Sequence, residues 1–419
     1  MKESRTLEFK REVSRTFLKT VSSFANFGTG EVWFGIDDDG AVVGLADPKA
    51  ASLAIENAIN DALSPRPRYT LDVKVESGKG LVVLRVFEGS DKPYLYRGKA
   101  YRRNDTADIE VDRIELNRLI LEGQNRSFEE AKSSRQDLTF EILKREMLER
   151  AEVNDVDENV LRTLRLYSTD EGFNNAAAVL ADVNDFPGVD IVRFGASVDE
   201  ILDRRRCTGA SALAQLASAM ELYDRYYRYE KIEGMTREVR ERVPLEAYRE
   251  AVANALVHRL WDVSANIQIS MEDSGITVTS PGGLPKGISE REYLQERVSI
   301  LRNPIIANVF YRLDYIEAFG TGIERIRKAY EPFEVAPTFS VTENLIVVRL
   351  PVTDVVASMS KDELAVLACF TGGRVLSRQE VEAMSGFSRA KAVRLLNALA
   401  SKNKVRRMGD GRGTRYSLV

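Results

Sequence analysis

The spacing of Glu250, Asn254 and His258 constrains this chain more than any other feature. Polar residues recurring every four positions within Arg249-Glu250-Ala251-Val252-Ala253-Asn254-Ala255-Leu256-Val257-His258-Arg259 share one face of a 3.6-residue helix, while Val252, Ala255 and Leu256 turn to other faces. The row joins a carboxylate, an amide and the only histidine of the chain. Either it is a solvated helix face or it meets a partner, and the surrounding sequence has to decide which.

At 419 residues the chain exceeds one ordinary core, and about 100 to 200 residues per domain gives three or four units. Its 44% apolar and 30% charged residues describe a soluble globular protein. The net charge of -4 decides nothing about nucleic acid, because recognition follows the distribution of charge rather than its sum. Cys207 and Cys369 are too few for a disulfide framework or a zinc cluster, which fits a reducing cytoplasm. No apolar run approaches the length of a membrane span and no secretory signal is visible, so no membrane partner is expected. A GxxxxGK[ST] loop is absent, which excludes a P-loop motor. Gly320-Thr321-Gly322 lacks the third glycine of a dinucleotide fingerprint.

The first unit, 1–123, reads as α+β. Thr6 to Arg11 can extend, and Phe17, Val21, Phe24 and Ala25 mark a helix stripe that ends near Gly28. Glu31–Ile36 and Ala41–Leu45 read as strands joined by the Asp37-Asp38-Asp39-Gly40 turn. A helix over Pro48–Leu63 follows, then strands at Tyr69–Val75, Leu81–Phe87 and Lys99–Arg103. From 124 to 235 a connecting region is expected, helical apart from interruptions at Asn174–Leu180 and at Val189–Phe194, which alternates like a strand. In 236–353 the Glu250 helix precedes strands at Asn266–Met271 and Gly275–Thr279 and the loop Ser280-Pro281-Gly282-Gly283.

The tail, 354–419, carries the clearest local signals. Ser360-Lys361-Asp362-Glu363 and Ser377-Arg378-Gln379-Glu380 fit the capping box and start two helices, and Ser388 caps a third with Ala392, Leu395, Leu396 and Leu399 inward. Strands at Lys404–Met408 and Thr414–Leu418 flank a glycine-rich tip, so three helices and a hairpin read as a winged helix-turn-helix. Twelve lysines and arginines face six carboxylates here, a net +6. Arg378, Arg389, Lys391, Arg394, Arg406, Arg407, Arg412 and Arg415 are the expected nucleic-acid contacts, with Arg389, Lys391 and Arg394 on the recognition helix and Arg412 at the wing tip. A protein-docking role for the same module is the competing reading.

With those elements in place, the chain resembles a bacterial and archaeal family along its length. Glu3-Ser-Arg-Thr-Leu-Glu8-Phe9-Lys10, Ser23-Phe-Ala-Asn26, Val32-Trp-Phe-Gly35-Ile-Asp37 and Tyr101-Arg102-Arg103 resemble the Schlafen AlbA_2 domain. The Glu250 helix, Ser280-Pro-Gly-Gly-Leu-Pro285, Arg302-Asn303-Pro304 and Glu317-Ala-Phe-Gly320-Thr-Gly322-Ile323 are similar to the RecG-like C-terminal module, a GHKL-type ATPase relative. The resemblance implies a multidomain α+β fold: an AlbA_2-like amino-terminal domain, a GHKL-like central α/β sandwich and the winged helix-turn-helix. It implies that Glu250 activates water, that Asn254 holds Mg²⁺, and that His258, Gly282, Gly283, Gly320 and Gly322 line an ATP site. The sequence departs from that pattern where Ser280-Pro281-Gly282-Gly283 replaces the adenine-reading aspartate box, and where His258-Arg259-Leu260-Trp261 replaces His-Arg-Asp-Tyr. ATP binding with at most weak hydrolysis is the expectation.

The same resemblance implies a second chemistry. In nuclease-active Schlafen proteins an acidic triad matches Glu3, Glu8 and Asp37, which would hold Mg²⁺ or Mn²⁺ against a phosphodiester. Bringing Glu3 beside Glu8 requires a bend near Ser4, and the competing reading pairs Glu8 with Lys10 to support the fold. The leading expectation is a cytoplasmic, homodimeric transcriptional regulator that binds DNA and senses ATP. The alternative is a metal-dependent nuclease acting on RNA, tRNA or DNA in defence.

Overall fold

The computed structural model describes residues 2–418 except 152, 234–235, 286, 296–299, 318–319, 354–360, 371–373, 402–403 and 410–412. Contacts divide it into two compact units, one of Met1–Thr139, Val156–Val179 and Arg302–Ile306, the other of Phe140–Asp155, Leu180–Leu301 and Ala307–Val419.

In the first unit the strands run in the order Leu7–Lys10, Gly30–Phe34, Lys79–Val86, Tyr69–Glu76, with the first pair parallel and the others antiparallel. A parallel pair needs a crossover, and the helix Phe17–Phe27 supplies it. Its Phe17, Val21 and Phe24 meet Val32, Phe34, Val82 and Leu84 of the sheet in one apolar core. The helix Pro48–Ala62 adds Ile55 and Ile59, and Asp47 caps its start by accepting the Lys49 and Ala50 amides. The strand expected at Ala41–Leu45 is reduced to one bridge, Ile36 to Val42. Gly35 and Gly44, at φ 96° and 83°, turn the chain so that the Gly35 carbonyl accepts both the Val43 and Gly44 amides, which leaves no ladder. Asn174–Leu180, expected to interrupt the helical pattern, instead forms the helix Asn175–Leu180. Three consecutive alanines favour it, and the Asn174 side chain accepts the Ala177 amide at 3.0 Å.

In the second unit a six-stranded sheet runs Ile201–Cys207, Val189–Phe194, Ile267–Glu272, Gly275–Pro281, Leu345–Pro351, Thr338–Val341. Val189–Phe194 pairs parallel with Ile267–Glu272, so the sheet draws strands from both sides of position 235, where the sequence suggested a boundary. Tyr223 of the helix Ala212–Tyr227 stacks on Tyr248 at 5.0 Å, tying that helix to Leu245–His258. Towards the end of the chain, helices Lys361–Cys369, Arg378–Ser385 and Arg389–Ser401 enclose Val366, Phe370, Val381, Leu396 and Leu399. A small antiparallel sheet, ordered Leu376–Ser377, Arg415–Leu418, Val405–Met408, closes that core with Val405 and Tyr416. The Ser377 capping box forms, whereas Ser360 lies outside the described residues.

Candidate functional site

The helix Leu245–His258 is buried on most of its circumference, which sets its polar row against protein rather than water. Glu250 is 2% exposed. Its Oε1 accepts the Asn254 side-chain amide at 3.1 Å, as the four-residue spacing dictates. Its Oε2 is buried and has no hydrogen-bond partner among the described residues, and the same is true of the Thr321 hydroxyl. Burial raises the Glu250 carboxyl above the ordinary carboxylate range, opposed by the Asn254 amide and by the Arg325 and Arg249 charges.

The start of the helix Gly322–Tyr330 approaches this pair so closely that a Cβ at Gly322 would lie 2.5 Å from the Asn254 amide nitrogen and 2.6 Å from Glu250 Oε1. A side chain there would have to displace the Glu250–Asn254 pair. Glu250, Asn254, His258, Gly283, Gly320 and Gly322 line one cavity of about 80 Å³, closed on its apolar side by Ile288, Tyr293, Ile316 and Ile346. Gly282 is not part of that lining: at φ 103° it turns the backbone, and its amide donates to the Asn344 carbonyl at 2.7 Å. At Gly283 a Cβ would run into the Glu343 and Thr342 carbonyls, so this glycine also answers to backbone packing. Ser280, standing where the aspartate box would be, donates to the Ala255 carbonyl at 3.3 Å. Thr321 was missed by sequence reasoning, although it sits between the two glycines that were named.

The donor set suits a phosphate-bound magnesium at one end only. A carboxylate, an amide oxygen and glycine-lined backbone offer hard ligands and close approach, and two orphaned buried oxygens leave hydrogen-bonding capacity unfilled. Ser280, not an aspartate, stands at the position of the adenine-reading box.

The acidic start of the chain is arranged differently. Ser4 and Leu7 exchange backbone hydrogen bonds at 2.9 and 3.3 Å, which supplies the bend that the Glu3–Glu8 spacing required. Glu3 Oε1 then accepts the Phe9 amide at 2.9 Å, and burial, joined by the neighbouring Glu8 charge, raises its carboxyl against the pull of that amide. Glu8 is buried between Lys10 and Arg103, both within ion-pair reach. Asp37 does not join them: its carboxylate takes Arg11 at 3.2 Å and its own neighbour's amide at 3.1 Å. Among the described residues no group of three or more Asp, Glu, His or Cys could hold a metal, so the expected triad is not assembled. Glu8 is neutralised by Lys10 and Arg103, and Asp37 separately by Arg11. Asn26 is likewise engaged, its side chain clamping the Tyr94 backbone at 2.8 and 2.9 Å.

Of the expected nucleic-acid contacts, Arg378 is paired with Glu382 and Lys391 with Asp362 at 2.8 Å, Lys391 also lying 4.0 Å from the Phe387 ring centre. Arg389, Arg394, Arg406, Arg407 and Arg415 are exposed. Arg415 reaches the Val375 carbonyl at 3.4 Å, and Arg412 lies outside the described residues. Leu395, Leu396 and Leu399 are buried, so the helix Arg389–Ser401 divides its apolar and cationic faces as its periodicity predicts.

Two segments of the chain match known family models, neither of which includes the helix Leu245–His258. Residues 3–112 match the family model of the Schlafen AlbA_2 domain, and residues 264–350 match the model described as "Putative ATP-dependent DNA helicase recG C-terminal". No curated protein matches. Among solved structures, the DIP2311 protein from Corynebacterium diphtheriae aligns over 99% of this chain and 95% of its own, at 18% identity and a TM-score of 0.47. The N-terminal domain of a RecG-related protein from Nitrosomonas europaea aligns over 27% of this chain and 86% of its own, at 26% identity and a TM-score of 0.22. No helix among the described residues is long and apolar enough to cross a membrane.

Proposed function

We propose that this chain, which joins a Schlafen AlbA_2 domain to a RecG-like ATPase-type module, is a cytoplasmic transcriptional regulator that binds DNA as a homodimer. Its three terminal helices and small sheet act as a winged helix-turn-helix, with Arg389–Ser401 in the major groove. The observation that carries this reading is the exposure of Arg389, Arg394 and Arg406 opposite buried leucines, with no ion pair to any of the three among the described residues. Guanidinium groups so disposed meet phosphates and release counterions.

The test is titration of a labelled duplex at increasing salt. Arg389→Ala with Arg394→Ala weakens binding and lowers the slope of log affinity against log salt by about 1.8, at roughly 0.9 per phosphate contact. Unchanged affinity and slope would falsify this orientation of the module.

A second reading concerns the Glu250 cavity, and the two orphaned buried oxygens favour it. The module senses ATP, with Asn254 as the hard-oxygen ligand that would hold Mg²⁺ and Glu250 as the base that would activate a water admitted with the nucleotide. Bound magnesium would neutralise phosphate charge there. A cavity of about 80 Å³ is smaller than the roughly 300–1,000 Å³ of ordinary ligand sites, so it must enlarge on binding. Such enlargement gives the nucleotide different affinities for two conformations, which a sensor requires. Failure of millimolar ATP to bind the unmodified chain ends this reading without touching the first. The nuclease alternative has no comparable support, because Glu8 and Asp37 are already engaged by arginines and a lysine.

A further inference from the structure

Residues 126–174, outside both matched segments, build a second cavity together with Ile305, and its lining shares no residue with the Glu250 site. It lies within the first unit, measures about 310 Å³, and is lined by Arg126, Lys132, Arg162, Arg165, Tyr167 and Phe173 with Glu130 and Glu171 among the rest. Four cations against two carboxylates leave the lining net positive.

The carboxylates hold part of that charge in place. Arg126 meets Glu171 through two nitrogens at 3.0 and 2.6 Å, and that hydrogen bond lowers the Glu171 carboxyl below its ordinary range. Arg165 reaches Glu130 at 2.7 Å, but its side chain is 63% exposed, so the pair is weak and the guanidinium can turn to another anion. Lys132 is exposed and forms no ion pair among the described residues.

The backbone at Arg165 is the less expected observation. The helix Glu158–Thr163 ends with Arg165 at φ 59°, its amide donating to the Arg162 carbonyl at 2.9 Å while Leu166 donates to Leu161 at 2.8 Å. Glycine usually takes this left-handed position, since a Cβ is disfavoured there. An arginine in its place is a local strain, and strain of this kind gathers at sites where a side chain is needed. Two residues on, the Tyr167 ring sits edge-on to Phe173 at 5.0 Å, with the Arg162 guanidinium 5.9 Å from its centre. An aromatic face beside guanidinium and ammonium groups suits a base and its phosphate together.

We propose that this cavity binds a nucleoside phosphate, with the phosphate between Lys132 and Arg165 and the base against Tyr167. The inference is independent of DNA binding by the tail and of ATP sensing at Glu250.

The test measures binding of AMP, inorganic phosphate, and a single-stranded hexanucleotide with and without a 5′-phosphate to the full chain at low salt. Three proteins are compared: the unmodified chain, Arg165→Gly with Lys132→Ala, and Asn254→Ala. Binding at this cavity weakens at least tenfold in the double variant and persists in Asn254→Ala. Because Arg165→Gly relieves the positive φ, the thermal midpoint of the double variant stays at or above that of the parent, which separates lost binding from lost fold. AMP bound in preference to the hexamer identifies a free nucleotide, and preference for the 5′-phosphorylated hexamer identifies a strand end. Equal affinity in the double variant, inorganic phosphate binding as tightly as AMP, or no binding of any probe at millimolar concentration overturns the proposal.

Discussion

Glu8 and Glu250 are both nearly buried carboxylates on residues where catalysis was expected, yet the fold treats them in opposite ways. Glu8 has a cation at each oxygen, Lys10 on one side and Arg103 on the other. Glu250 has one amide at Oε1 and, among the described residues, no partner at Oε2. A buried charge is costly unless paired and hydrogen-bonded, so the first carboxylate is compensated within the fold and the second only in part. The difference separates a framework acid from the acid proposed to serve a site more sharply than motif spacing does.

Breaking the framework side gives the largest effect. Arg103 also donates to the Ser4 carbonyl at 3.0 Å and reaches Asp108 at 3.4 Å, and its side chain is 3% exposed. Arg103→Met leaves Glu8 and Asp108 without this partner, at a cost of about 3–5 kcal/mol to the first unit. The two tryptophans allow the measurement, since Trp33 belongs to the first unit and Trp261 to the second. Urea titration of a Trp261→Phe background follows Trp33 alone. A loss well under 1 kcal/mol would place Glu8 with Glu250 and dissolve the contrast.

Legibility from sequence follows the same division. The Glu250–Asn254–His258 row was readable because helical neighbours are set by spacing alone, and the Ser377 box and Leu395–Leu399 stripe were readable for that reason. Arg103, 95 residues from Glu8, could not be found by any local period. The parallel pairing of Val189–Phe194 with Ile267–Glu272 was hidden likewise, because strand partners are chosen by tertiary packing. Ala41–Leu45 was misread because its short apolar run looked like a strand, while Gly35 and Gly44 set the backbone. Arg165 escaped because nothing in its neighbours announces a left-handed φ at an arginine.

Glu129 stands between the two cases and sharpens the comparison. It is fully buried, and its two oxygens accept the Ile305 and Ile306 amides at 2.6 and 3.0 Å, capping the start of the helix Pro304–Arg312 without any cation at contact distance among the described residues. Burial raises its carboxyl from 4.5 to about 7, the two amides and Arg165 opposing and Glu130 adding to the rise. As pH climbs through that window the unfolded chain gives up its proton before the folded one does. The first unit therefore loses about 3 kcal/mol between those two values. Glu129→Gln removes this dependence, which urea titrations across the window would reveal as a flat stability. An equally steep fall in the variant would assign the dependence to other groups.

The smallest effect is expected at Glu250 itself. Glu250→Gln keeps the acceptor that Asn254 uses and replaces the unpartnered Oε2 by a neutral amide, so the cost of burying a charge disappears while little pairing is lost. Its raised carboxyl means that the parent loses stability as pH rises above the ordinary carboxylate range, so the variant gains on the parent from acid to neutral pH. At neutral pH the two should differ by no more than about 1 kcal/mol, with the variant equal or ahead. Trp261 fluorescence in a Trp33→Phe background reads the second unit alone. If Glu250→Gln instead unfolds that unit as readily as Arg103→Met unfolds the first, Glu250 is a framework acid too, and its orphaned oxygen has no ligand to explain.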